Sequence, residues 1–170
     1  MLRFLFPRLT PAPDRGRELF ESLVREARQP HWFLQGEVPD TLDGRFALLA
    51  TILALATVRL ERGGEEAGAA SVALAERFVE AMDIEHREMG IGDPSLGKHV
   101  RRLMTSLARR VELWRSVVQG DADWADAVRS SVYRAEVAES ATEHSEASLR
   151  SLWGKLEGAS DEAIAQGRFE

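Results

Sequence analysis

The sequence predicts an all-α, single-domain bundle of about six helices. Three observations carry this expectation. Apolar residues recur at the helical period of about 3.6, most clearly from Leu96 to Val118. Glycines and prolines cut the chain into pieces of helix length, and no alternating β-branched run is long enough for a sheet. No internal repeat is present, and 170 residues is the length of about one domain, enough to bury a real core.

The elements follow in chain order. Residues 1–13 read as an apolar segment and linker, with Pro7, Pro11 and Pro13 marking the linker, and residues 14–170 as one helical domain. Asp14 is placed to cap a first helix from about Arg15 to Arg28, with Leu19, Leu23 and Ala27 on one face and Pro30 ending it. Trp32, Phe33 and Leu34 are expected to anchor the connection against the core, and Gly36 to Pro39 reads as a loop.

Asp40 or Thr41 can cap a second helix, Leu42 to Arg62, because a short side-chain oxygen accepts an orphan amide of the first turn. Phe46, Leu49, Leu53, Ala56 and Leu60 hold one face, while Leu48, Ile52, Leu55 and Val58 fill much of the rest. A helix apolar all round is normally central. A third helix, about Glu66 to Met82, carries Val72, Leu74, Phe78, Val79 and Met82 as its expected buried set and breaks down by Gly90.

Asp93 followed by Pro94 signals a fourth helix. Leu96, Val100, Leu103, Met104, Leu107, Val111, Trp114 and Val118 share an arc of roughly 100°, the width of a core-facing stripe. Lys98, Arg101, Arg102 and Arg109 occupy the opposite side. Gly120 closes this helix, and Asp121 or Asp123 can cap a fifth containing Trp124, Ala127, Val128, Val132 and Tyr133. The last, Ala135 to Glu157, has Val137, Leu149, Leu152, Trp153 and Leu156 as its apolar residues and should pack less tightly at its start.

Composition removes several classes of function. With no cysteine there are no disulfides, thiolate metal sites or cysteine nucleophiles. The charge-free apolar stretch Phe46 to Val58 is 13 residues, too short to span a bilayer, and the first residues lack the apolar length and cleavage site of a signal peptide. The expected location is cytoplasmic, with peripheral contact at the cytoplasmic face of the inner membrane a further expectation. A net charge of −6 argues against DNA binding.

No catalytic, cofactor or metal site is expected. Glu136, Glu139, Glu143 and Glu146 fall on one helical face beside His144, but the chain contains no Glu-x-x-His, so a solvated acidic face is favoured. His31, His86, His99 and His144 lie far apart in sequence, and no Gly-x-Ser-x-Gly elbow accompanies them. Gly90-Ile91-Gly92 has the wrong spacing for a dinucleotide loop. The basic face of the fourth helix is different. Between Lys98 and Arg115 only Glu112 is acidic, and such sign purity points to a partner-facing surface for anionic headgroups, ribosomal RNA or an acidic protein segment.

Two segments then read together. Val38-Pro39-Asp40-Thr41-Leu42-Asp43-Gly44-Arg45-Phe46, followed by Met82-Asp83, Arg87-Glu88-Met89-Gly90-Ile91-Gly92-Asp93 and Gly97-Lys98, resemble the ubiquinol-cytochrome c chaperone family in order and spacing. The likeness covers about Val38 to Val118. It departs from the family at Leu49-Ala50-Thr51-Ile52, where a histidine is usual, at Ser106-Leu107-Ala108-Arg109, where the family favours aromatic-Tyr-Gly-Arg, and at His86, where an aliphatic residue is common.

The resemblance implies a non-enzymatic assembly chaperone for respiratory complex III that engages newly made cytochrome b. In mitochondrial relatives a small helical helper protein works beside it near the ribosome exit, so a helper or the ribosome is a candidate partner. The expected partner-binding residues are Asp83, Arg87, Glu88, Met89, Ile91, Asp93, Lys98, Arg101, Arg102 and Arg109. The competing expectation is a helical carrier of a small ligand, haem or lipid, for which His86, His99 and the apolar second helix would matter.

Overall fold

The structure, a computed structural model, describes the backbone of residues 16–88 and 93–169 and, within these, the side chains of all but 82–88, 93–96 and 99. The apolar segment and linker expected over residues 1–13, and the cap expected at Asp14, lie outside the described residues. Among the described residues the chain is helical throughout: α1 (Arg17–Ala27), α2 (Pro30–Leu34), α3 (Leu42–Leu60), α4 (Glu65–Glu88), α5 (Asp93–Gln119), α6 (Trp124–Val132), α7 (Glu139–Gly158) and α8 (Asp161–Ala165). Six of these are the long helices the periodicity predicts; α2 and α8 are added single turns. No helix is long and apolar enough to cross a membrane, among the described residues.

α3 is the axle. Ala47, Leu48, Ala50, Ile52, Leu53, Ala54, Leu55, Ala56, Val58 and Leu60 are all buried, and α1, α4, α5, α6 and α7 pack around it. Its start is fixed locally. The Thr41 hydroxyl accepts the Gly44 amide at 3.1 Å, and the Arg45 Nε donates to Asp40 at 2.6 Å. A Cβ at Gly44 would lie 2.0 Å from the Pro39 carbonyl oxygen, so only glycine lets the preceding loop approach the first turn. The Val38 to Phe46 segment is therefore a corner: Val38 is buried beneath it, and Asp43 reaches Arg134 at 2.7 Å.

At the far end of α3, Arg59 fastens the C-terminal elements. Its Nε donates to the Leu156 carbonyl at 3.0 Å, Nη2 to the Ala159 carbonyl at 2.7 Å and Nη1 to Asp161 at 2.9 Å. The other Asp161 oxygen accepts the Gly64 amide at 2.9 Å. That amide bond, with Arg59 beside it, holds the Asp161 carboxyl below its ordinary value. Ser160 caps α8 by accepting the Ala163 amide, and Ile164 seals it against the core.

Several expectations need correction. Pro30 does not merely end α1 but starts α2, the first-turn position a proline tolerates. Trp32 is buried, with its Nε1 donating to the Glu26 carbonyl, yet Leu34 is 71% exposed because the turn of α2 carries it away from the core. On α4, Leu74 and Phe78 are buried, but Val72 is 61% exposed. Two residues from Leu74 is about 200° of helix, which is the outer side. α4 also runs past Met82 to Glu88, since residues 83–88 contain no glycine or proline to stop it.

α7 begins at Glu139 rather than Ala135, because the chain is non-helical from Tyr133 to Ala138 and bends at Arg134 and Ala135. The start of α7 is tightly packed, not loose: Ala141, Thr142 and Ser145 are buried. Tyr133 explains both. Its hydroxyl donates to the Gly36 carbonyl, with the Ala141 carbonyl at 3.2 Å and the Ser145 hydroxyl at 2.7 Å, so small residues must line the helix there.

Candidate functional site

α5 carries the two faces its periodicity predicts. Leu103, Leu107, Val111 and Trp114 are buried, with Val117 joining them, and Met104 and Val118 are packed at the margin. Trp114 meets Trp124 of α6 edge-on, ring centres 5.3 Å apart. Each such large side chain withdrawn from water contributes about 1.5–3 kcal/mol, which holds α5 in one orientation against α3. Gly120, with φ of +87°, turns the chain out of α5 in a conformation that favours glycine.

This orientation fixes where the cations point. Lys98, Arg101, Arg102 and Arg109 are exposed. With Thr105, Ser106, Arg110 and Leu113 of α5 and Ser130 and Ser131 of α6 they line an open concavity of about 650 Å³. No acidic side chain pairs with these four, among the described residues. The contrast lies within the same helix. Arg115, two turns on, is held by Glu112 at 2.7 Å and Glu61 at 2.8 Å. Arginines 45, 59, 129, 134 and 150 likewise each meet a carboxylate.

Arg110, absent from the residues the sequence singled out, forms the inner wall. It donates to the Ser106 hydroxyl at 2.5 Å and the Ser106 carbonyl at 3.3 Å, and crosses to the Ser131 carbonyl of α6 at 2.8 Å. It has no carboxylate partner among the described residues, and its Nε is buried without an acceptor. Burial, and then repulsion from Arg134, lowers its guanidinium below the ordinary arginine value. The sequence signal that would have found it is Ser106 one turn before an arginine that faces inward; what it could not supply is the position of α6.

The remaining expected partner residues divide. Met89 and Ile91 lie outside the described residues, and Asp83, Arg87, Glu88 and Asp93 belong to α4 and α5 by backbone but lie outside the described side chains. His86 and His99, invoked for a small-ligand carrier, also lie outside them. The apolar surface of α3 is taken up in the shared core with α1, α4, α5, α6 and α7.

Two glutamates of the acidic stretch are paired. Glu139 meets Arg129 at 2.8 Å and Glu146 meets Arg150 at 2.8 Å, while Glu136 precedes the helix and does not share its face. Far apart in sequence, His31 and His144 come together: the His31 Nδ1 and His144 Nε2 are 3.0 Å apart, one imidazole donating and the other accepting. Burial, and then the neighbouring His144, lowers the His31 pKa below its ordinary value and so favours an uncharged His31 imidazole.

Comparison with known proteins places this arrangement. Residues 35–170 match a family described as ubiquinol-cytochrome C chaperone. Among solved structures, the crystal structure of the Cbp3 homolog from Brucella abortus is similar, with a TM-score of 0.75 and 26% identity, covering 91% of this chain and 88% of that one. No curated protein matches this chain.

Proposed function

Because this chain belongs to the ubiquinol-cytochrome C chaperone family, we propose that it is a non-enzymatic chaperone that binds newly made cytochrome b and promotes assembly of the cytochrome bc complex. The observation that carries this reading is the unpaired basic face of α5. A rigid core holds four exposed cations in one stripe over a concavity and, among the described residues, gives them no acidic partner. Charges left so are available to a partner.

A nascent membrane protein offers apolar helices flanked by charged loops. A chaperone for it needs charged and apolar contacts side by side. In this reading Asp83, Arg87, Glu88, Met89, Ile91 and Asp93, immediately before the stripe in sequence, complete the client surface with Lys98, Arg101, Arg102 and Arg109. Residues 14–170 then form the chaperone domain, which works in the cytoplasm against the inner membrane surface.

Affinity capture from cells tests the reading. The tagged chain should enrich cytochrome b, and deletion of its gene should deplete assembled complex III while cytochrome b transcript and ribosomes stay intact. Normal complex III levels in the deletion strain would sink it.

A further inference from the structure

The concavity between α5 and the end of α6 combines three properties that narrow its occupant. Its cations are uncompensated: Lys98, Arg101, Arg102 and Arg109 on the rim, and Arg110 on the wall, meet no carboxylate among the described residues. Its shape is an open concavity of about 650 Å³, with Leu113 as part of the lining. Its cations also run in line. From Lys98 to Arg109 the helix rises by roughly 16 Å, the reach of about five residues of extended chain.

We propose that this concavity seats a short acidic stretch of a client polypeptide, its carboxylates paired to Arg101, Arg102 and Arg109 and an apolar side chain against Leu113. The inference rests on the chaperone reading only in taking the occupant to be part of a client. Guanidinium groups pair with carboxylates through two parallel hydrogen bonds. Here the Ser106 hydroxyl already accepts from Arg110, leaving its own proton for an incoming oxygen.

The same features disfavour two other anions. A layer of lipid headgroups offers anionic charge to the rim but no side chain to place against Leu113 in the lining. A nucleic acid would want bases stacked on aromatic rings, and no aromatic side chain lines the concavity among the described residues. A long polyanion would also feel the net charge of −6, whereas a short segment lies within about one Debye length of the stripe alone.

The test uses the full chain and a fluorescein-labelled peptide of alternating glutamate and leucine, with a lysine-leucine peptide, phosphatidylglycerol vesicles and a single-stranded oligoribonucleotide as competing probes. Two double reversals with equal change in net charge are compared: Arg101→Glu with Arg109→Glu on the stripe, and Arg28→Glu with Lys155→Glu away from it. The acidic peptide should bind in a salt-sensitive way, weaken by about tenfold or more with the stripe reversal, and change little with the control. If the stripe reversal lowers helicity, Arg101→Gln with Arg109→Gln replaces it and should show the same order of effect.

Equal weakening by both reversals would mean a net-charge effect and overturn the proposal. So would vesicles or RNA engaging the stripe while the acidic peptide does not. Failure of peptide binding with cytochrome b still captured from cells would remove this inference alone. Peptide binding retained without cytochrome b capture would support this chemistry and remove the cytochrome b reading instead.

Discussion

Arg59 and Arg109 sit on neighbouring helices of one small domain and are used in opposite ways. Arg59 is 12% exposed and uses each of its three guanidinium nitrogens on its own chain, on the Leu156 and Ala159 carbonyls and on Asp161. Arg109 is exposed and meets no acid among the described residues. The first kind of cation joins elements distant in sequence, α3 to the C-terminal turns. The second kind adds nothing to the fold that the structure displays. In an acidic chain a carboxylate is seldom hard to find, so a row of cations left without one is informative about function where a paired cation is informative about stability.

The difference can be broken most easily at Arg59. Arg59→Met keeps the aliphatic stem but removes the donors to two carbonyls and to one Asp161 oxygen, the other still accepting the Gly64 amide. The two carbonyls left without a donor set the cost, about 2–3 kcal/mol together. Urea denaturation should show it as a lower midpoint with little change in slope. A loss below about 1 kcal/mol would mean that apolar packing of α8 carries the junction and that Arg59 is no more structural than Arg109.

Tyr133 marks the same principle without charge. Its hydroxyl is buried and shared among Gly36, Ala141 and Ser145, tying the loop before α3 to the start of α7. Tyr133→Phe removes the shared donor and should cost about 1–2 kcal/mol by the same measurement. If the cost were negligible, the non-helical segment before α7 would have to be held by Glu139 and Arg129 instead.

These two junctions were not legible in the sequence, whereas the faces of α5 were. Periodicity reports on which side of a helix is dry, and the run from Leu103 to Trp114 repeats often enough to fix that side. The sign purity from Lys98 to Arg109 then stood out against it. A single turn has no period to read, so α2 and α8 were invisible, and with α8 went the partner of Arg59. Val72 shows the converse: an isolated apolar residue on a helix is compatible with either side until the neighbours are placed. The family-like segment from Val38 to Phe46 was legible as a pattern, but its physical content, the close approach of Pro39 to Gly44, is a fact of three dimensions. Arg110 fell between these cases, adjacent to a predicted site residue yet turned inward by α6, an element whose position no local pattern specifies.

The smallest expected effect sharpens the comparison most. Replacing Arg101, Arg102 and Arg109 together with glutamine removes three charges, and in most helices of an acidic protein that would weaken pairing somewhere. Here nothing among the described residues is paired to them, and glutamine is nearly as good a helix former as arginine. The stability should therefore change by less than about 0.5 kcal/mol in urea, with unchanged helicity by circular dichroism. A clear destabilisation would show that these cations act on the fold through acids of residues 83–93 and would return them to the class of Arg59. A clear stabilisation is also informative: it would mean that the row of like charges, with Arg110 behind it, is held together against its own repulsion, the arrangement a protein tolerates when a partner relieves it.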